Sequence, residues 1–255
     1  MVRENGLLEA ALFFVSPSHW WAKEARNSVI GSKGQVFQIP YPMDTSFWHP
    51  TDNAPFRERH KVTDDDKVVI FGAVGGEKNK LKGSEILFPL LTELAKKLDE
   101  SQGNTRIRVF IFGEVGEEKT FGKVRLSYLG NIRDDFELRA LYSGADLVFV
   151  PSLIDNYPLV ATEAIACGTP VVAFEGYGPA EIVRQTGSGL ISPRANLSRT
   201  ASEIVELLEH PEALKTMAKS GIDCAQREWN PIRIRDQYIE VYREAVASKT
   251  YFQDS

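Results

Sequence analysis

The sequence predicts an α/β fold: a Rossmann-like parallel sheet with helices on both faces, followed by a C-terminal helical tail. Three observations carry this. Short β-branched runs alternate with amphipathic stretches through the middle of the chain, the pattern of a parallel sheet covered by helices. Several of those runs stop at a glycine: Val68–Phe71 before Gly72, Ile107–Phe112 before Gly113, Val124–Leu129 before Gly130. One run, Leu147–Val150, is apolar throughout, as expected of a central strand buried on both sides.

The elements follow in order. The N-terminal stretch MVRENGLLEAALFFVSPS has an apolar run flanked by Glu4 and Glu9 and no clear small-residue cleavage site, so it reads as a helix end leading into a buried strand rather than a leader. Val36–Ile39 is the next strand, and residues 40–65, rich in Pro, Asp and Thr, read as a linker. After Val68–Phe71 comes a polar loop, Ala73–Gly83, holding Gly75, Gly76 and three lysines. Ser84 is an N-cap candidate for a helix whose inward face is Ile86, Leu87, Leu90, Leu91, Leu94 and Leu98. Asp134 starts a short helix with Leu138, Leu141 and Tyr142 inward. Pro158 stands where a first helical turn can begin, and that helix ends at Gly168. Pro170–Phe174 is a strand, Pro179–Arg184 a short helix and Gly189–Ile191 a last strand; residues 197–246 are helical with breaks near Pro211 and Pro231.

Composition narrows the function classes. The 255 residues are 43% hydrophobic, enough for a full core. Thirty basic against 35 acidic residues give a net charge of −5, so no electrostatic argument points to nucleic acid as a partner. A phosphorylated small molecule needs only local positive charge. Two lone cysteines, Cys167 and Cys224, fit a reducing cytoplasm better than a disulfide framework. The apolar runs are strand-sized, so no transmembrane helix is expected. The location expected is cytoplasmic, free or peripheral at a membrane.

The chemistry concentrates in Pro151–Val183. Two carboxylates, Asp155 and Glu163, stand eight residues apart, the first in the loop before a helix and the second about one and a half turns into it. The helix start offers N–H groups and a partial positive charge, a ready anion site. A diphosphate bridging two hydroxyl-bearing rings would use all three features.

This segment resembles the signature of family 4 glycosyltransferases, enzymes with the GT-B fold. The family's acid pair, EA-A-GTPVV stretch and glycine-rich turn ending in Glu read here as Asp155, Glu163, Ala164, Ala166, Gly168–Val172 and Glu181. The first acid is Asp where the family more often has Glu, and Asn156-Tyr157-Pro158 replaces the usual Gly-Phe-Gly, a variant similar to one in capsule and exopolysaccharide transferases. The resemblance covers roughly residues 13–246 in motif order. Phe14–Ser18 is similar to the last strand of the acceptor domain, Ile39–Pro50 to the interdomain linker, Phe71-Gly72 with Lys82-Gly83 to the donor loop, Gly130–Arg133 to the loop contacting the base, and about Pro231–Ala245 to the helix that crosses back. Ala73 stands where the family often has Arg, leaving Lys78 or Lys80 as substitute cations.

The resemblance implies roles. Lys82 neutralises the diphosphate, and Leu159 and Val160 offer it N–H groups, since Pro158 has none. Glu163 accepts from the ribose hydroxyls, Asp155 contacts the transferred sugar, and Ile132 packs near the base. Gly72, Arg133 and Tyr157 complete the donor-binding set, with Asp155 and Glu163 as the catalytic pair. No metal or other cofactor is implied; the nucleotide sugar is a substrate.

The organisation expected is a remnant of an acceptor domain over residues 1–35, an interdomain linker over 36–65, a nucleotide-sugar-binding Rossmann-like domain over 66–230, and a crossing helix and tail over 231–255. It corresponds to the C-terminal half of a GT-B fold with most of the acceptor-binding half missing. The function expected is retaining transfer of a sugar from a nucleoside diphosphate to a hydroxyl acceptor, glycan or lipid-linked. The alternatives are a donor-binding subunit that pairs with a separate acceptor-domain chain, and a noncatalytic nucleotide-binding module. Trp20, Trp21, Phe47 and Trp48 are expected to pack where the linker meets the tail.

Overall fold

A computed structural model describes residues 11–72, 83–101 and 103–250. The chain divides into two compact units, residues 45–226 and residues 1–44 with 227–255.

The larger unit holds a seven-stranded sheet. In chain order its strands are β3 (Asp66–Gly72), β4 (Arg106–Phe112), β5 (Lys119–Phe121), β6 (Val124–Gly130), β7 (Leu147–Val150), β8 (Val171–Phe174) and β9 (Gly189–Ser192). Their spatial order is β5-β6-β4-β3-β7-β8-β9. Every pairing is parallel except β5 with β6. The antiparallel edge strand β5 was not foreseen, because three residues with an exposed-exposed-intermediate pattern carry no period. Connections run to one side from β3 and to the other from β7, so the order reverses between these two central strands.

Helices cover both faces. In this unit they are α2 (Ala54–Arg59), α3 (Ser84–Glu100), α4 (Asp135–Ser143), α5 (Leu159–Ala166), α6 (Gly178–Thr186), α7 (Leu197–Leu208) and α8 (Pro211–Glu228), the last running into the smaller unit. Leu87, Leu90, Leu91, Leu94 and Leu98 of α3 pack with Ile204, Val205 and Leu208 of α7 against one face of the sheet, in a cluster buried almost completely. That is the apolar face read from the sequence; Ile86 lies at its half-buried margin. Ser84 is not the N-cap. It is the first helical residue, and Gly83 holds the cap position with φ +80°. A Cβ at Gly83 would collide with the Pro151 carbonyl, so the approach of these two loops requires glycine there.

The stretch 40–65, which reads as a linker, contains α2. Phe56 on that helix packs edge-on against Phe110 of β4, and the His60 ring contacts both. Burial, with Arg59 and Arg108 nearby, holds the His60 pKa below its ordinary value. Phe47 and Trp48 pack on α4, through Phe136 and Tyr142, and Arg139 stacks over the Phe47 ring at 4.8 Å. Phe47 and Trp48 thus pack on α4.

In the smaller unit, β1 (Phe13–Ser16) and β2 (Gln35–Gln38) pair in parallel, joined by α1 (His19–Asn27) and a short 3-10 turn, and α9 (Pro231–Thr250) follows. α1 is not among the elements that the sequence pattern predicts. Ser18 caps it, accepting from the Trp21 amide at 3.1 Å, and Trp20 lies 5.1 Å from Trp21, ring to ring. Ile39, Ile234 and Val241 form the unit's core with Phe13, Val15, Phe37 and Tyr238 around them. β1 is only half-buried, less covered than its apolar sequence suggested. No helix among the described residues is long and apolar enough to cross a membrane.

Candidate functional site

The carboxyl ends of β3, β4, β6 and β7 point the same way, because those strands are mutually parallel. Ligands in open sheets of this type bind beyond those ends, at the point where the strand order reverses. Here that point lies between β3 and β7. The loop after β7, residues 151–158, carries Asp155; Lys82 belongs to residues 73–82, which follow β3 in the sequence. Lys82, with Lys78 and Lys80, falls outside the described residues. Gly72 is the last residue of β3, paired with Phe112 of β4.

The loop after β7 is held by short-range bonds. Ser152, buried at the strand end, donates its hydroxyl to Asp155 Oδ2 at 3.1 Å. The Asp155 carbonyl accepts from the Gly178 amide at 3.0 Å, which ties this loop to the start of α6. A Cβ on Gly178 would overlap the Asn156 carbonyl, so no other residue fits that contact without a backbone shift. Tyr157 is buried beneath the loop at 4% exposure. Glu181, the acid of the glycine-rich turn, stands half-buried in the first turn of α6.

Pro158 is the N-cap of α5, not its first helical residue; its ψ of 124° is extended, and its carbonyl starts the helical ladder. The Ala161 and Thr162 amides both turn back to that carbonyl, at 3.1 and 3.4 Å. The Leu159 and Val160 amides precede the ladder and stand at the helix's positive end. The Leu159 side chain is half exposed, at 52%, so this end of the helix opens outward.

Glu163 is the fifth residue of α5, on the side facing α4. Tyr142, fully buried in α4, donates its hydroxyl to Glu163 Oε2 at 3.1 Å. Burial pushes the Glu163 carboxyl up to about 7; the Asp135 charge adds to the rise and the Tyr142 hydroxyl opposes it. Burial and the Glu163 carboxylate push the Tyr142 phenol well above its ordinary range, so it remains a donor. Sequence reasoning placed Tyr142 in the core and missed its contact with Glu163. The available signal was a tyrosine at an inward position, since a buried hydroxyl needs a partner.

The loop after β6 approaches from the side of β4. The Gly113 amide donates to the Gly130 carbonyl at 2.8 Å and the Gly130 amide to the Glu114 carbonyl at 3.0 Å, which joins the two strand ends. Ile132 is half-buried and lines a cleft of about 450 Å³ together with Leu129, Phe56, Phe136 and Leu141. Arg133 is exposed, and Asp134 caps α4 through the Phe136 amide at 2.9 Å, as its sequence position implied. A second cleft, of about 650 Å³, opens at the amino ends of β3 and β4 between Arg106, Arg108 and Arg125, on the opposite edge of the sheet from the acid pair. Cys167 and Cys224 are both buried, and burial raises the Cys167 thiol to about 12.

The arrangement can hold an anion at the start of α5, a hydroxyl-bearing group at Asp155 and another at Glu163. Comparison with known proteins identifies the family. Residues 53–223 match the family described as Glycosyl transferases group 1. The D-inositol 3-phosphate glycosyltransferase of Segniliparus rotundus is 30% identical over 220 residues, 82% of this chain and 46% of that protein. The MMP alpha-(1->4)-mannosyltransferase of Mycolicibacterium hassiacum is 26% identical over 85% of this chain and 50% of its own length. The chain thus spans about half the length of these curated relatives. Among solved structures, sucrose-phosphate synthase from Thermosynechococcus elongatus superposes with a TM-score of 0.72 at 24% identity, over 97% of this chain and 61% of that one. Anabaena HepE in complex with UDP and glucose superposes at 0.68 and 18% identity, over 92% and 63%. These likenesses establish the fold as that of GT-B glycosyltransferases.

Proposed function

Since the chain belongs to the glycosyl transferases group 1 family, we propose that it supplies the nucleotide-sugar-binding half of a retaining glycosyltransferase. The reaction would move a sugar from a nucleoside diphosphate to a hydroxyl of a glycan or lipid-linked acceptor. The observation that carries this is the grouping, at the reversal point of the sheet, of an acid loop, an open helix start and a buried acid on one short helix.

In this reading the diphosphate lies on the Leu159 and Val160 amides, with Lys82 as its counter-charge. The bond from the anomeric carbon to the diphosphate oxygen breaks as negative charge grows on that oxygen. Fixed N–H dipoles already aimed there lower the barrier without reorganising. No metal is needed for that step. Asp155, oriented by Ser152, accepts from a hydroxyl of the transferred sugar. Glu163 accepts from the ribose hydroxyls, Ile132 packs near the base, and Gly72, Arg133 and Tyr157 shape the remaining wall. Acceptor recognition is assigned to the portion of the relatives that this chain's span does not match, whether in the same polypeptide or in a separate acceptor-domain chain.

The test is calorimetric titration of the purified chain with UDP, GDP and ADP, beside a variant carrying Asp155→Ala, Glu163→Ala and Lys82→Ala. One nucleotide should bind the parent chain and not the variant. Absence of binding by a well-folded parent chain would shift the reading to a noncatalytic module.

A further inference from the structure

The ring of Tyr142 is explained by packing. It meets Phe112 edge-on at 6.2 Å and Trp48 at 6.2 Å, and no part of the residue is exposed. The backbone there is fixed as well, because Thr169 donates its hydroxyl to the Tyr142 carbonyl at 2.6 Å. Phenylalanine would satisfy every one of these contacts. The hydroxyl is the part that packing does not require, and burying a hydroxyl beside a buried carboxylate is costly unless the pair is hydrogen-bonded.

The pair is hydrogen-bonded, through one carboxylate oxygen only. The Tyr142 hydroxyl takes Glu163 Oε2, and among the described residues no donor occupies Oε1. A glutamate has three rotatable side-chain bonds, and a rigid donor at one oxygen removes most of that freedom. Four segments meet at this point: Trp48 before α2, Phe112 at the end of β4, Tyr142 in α4 and Thr169 before β8. They hold the donor and so aim the acceptor.

We propose that Tyr142 is a positioning residue for donor recognition: it fixes Glu163 so that the remaining oxygen meets the ribose hydroxyls, and the site thereby selects ribonucleoside over deoxyribonucleoside diphosphates. The inference rests on the assignment of Glu163 to the ribose. A site built to accept from a hydroxyl rejects the analogue that lacks it, because its own polar group is then left unpaired. Tyr142 does not touch the nucleotide in this scheme and acts only through Glu163.

The experiment compares affinities of the chain for whichever of UDP, GDP and ADP binds, and for its 2′,3′-dideoxy form, in four proteins: parent, Tyr142→Phe, Glu163→Gln and the double variant. The parent should prefer the ribose form by about 100-fold, the scale of a hydrogen bond to a charged acceptor. Tyr142→Phe should shrink that preference to about tenfold, by losing affinity for the ribose form alone, and the double variant should match Glu163→Gln. Partial unfolding of a variant lowers both affinities together and leaves their ratio intact, so the ratio reads the position of Glu163 and not stability. An unchanged ratio in Tyr142→Phe overturns the inference and leaves the Glu163 assignment standing. Because the glutamine oxygen still accepts weakly, only a preference of full parental size in Glu163→Gln overturns that assignment, and the inference with it.

Discussion

The Ser152 hydroxyl lies 3.1 Å from Asp155 Oδ2 and donates to it across three residues of the loop that follows β7. Ser152 is itself buried, at 5% exposure, so the bond anchors an acid in an otherwise irregular loop to the end of a central strand. Hydrogen bonds to a charged acceptor contribute about 1.5–3 kcal/mol.

Ser152→Ala should therefore loosen Asp155 without unfolding the chain. Affinity for the sugar nucleotide should fall about tenfold while affinity for the parent nucleoside diphosphate stays within about twofold. Calorimetry with the two ligands separates these. Equal losses for both would remove Asp155 from the sugar end of the site.

Leu159→Pro tests the helix start by chemistry rather than by size. The position is the first of α5, where proline fits the backbone and costs little stability. The extended Pro158 before it, with ψ 124°, accommodates a following proline. The substitution deletes one N–H. Nucleoside diphosphate binding should weaken about tenfold, with the unfolding midpoint in urea nearly unchanged. Retained affinity would mean that the diphosphate does not sit on this amide.

Glu163 makes stability and binding respond to pH in opposite directions. Its carboxyl titrates at about 7 in the folded chain against an ordinary value of 4.5. Between those values the folded state holds a proton that the unfolded state has released, so stability falls as pH rises and levels off above about 7. The shift corresponds to something on the order of 3 kcal/mol across that window. Asp146, also raised by burial, contributes with the same sign. Asp135 on α4 carries the charge whose repulsion adds to the Glu163 shift, and the Tyr142 phenol and Cys167 thiol beside the carboxyl stay neutral throughout. Under the proposed assignment of Glu163 to the ribose, ribonucleotide binding needs the ionised acid and should instead strengthen over the same window. Glu163→Gln should flatten both trends, as urea unfolding and calorimetry at pH 5.5 and 8.0 would record; stability that rises with pH in the parent would contradict the raised carboxyl.

Gly178→Ala should be among the most damaging single-methyl changes in the larger unit. Its Cβ would overlap the Asn156 carbonyl, a backbone atom that cannot step aside like a side-chain tip. Overpacking of this kind costs about 1–3 kcal/mol, and more where backbone meets backbone. A lowered thermal midpoint with weakened sugar-nucleotide binding is the expected result, because the same contact ties the Asp155 loop to α6. A midpoint equal to the parent's would show that the loop yields freely.

The sheet was legible from the sequence because strands buried on both faces are written as unbroken apolar runs. Leu147–Val150 is the clearest case: four residues, all buried, with the predicted ends. The α3 face was legible for the same kind of reason, since a 3.6-residue period survives any tertiary context. What the sequence underdetermined was short or local. β5 exists through its ladder with β6, α2 through Phe56 packing on Phe110, and the cap of α3 through the approach of Pro151 to Gly83. Each depends on a partner that lies outside the segment it shapes.

The acid pair, the open helix start and the glycine-bounded strands were determined by the sequence itself, because each depends on residue type and spacing along one stretch of chain. The strand order that sets the Asp155 loop at the reversal point, the bond from Tyr142 to Glu163 across 21 residues, and the burial that lifts the Glu163 carboxyl to about 7 were decided only by the tertiary structure. A carboxylate's neighbours and its distance from water are properties of packing, and no linear motif contains them.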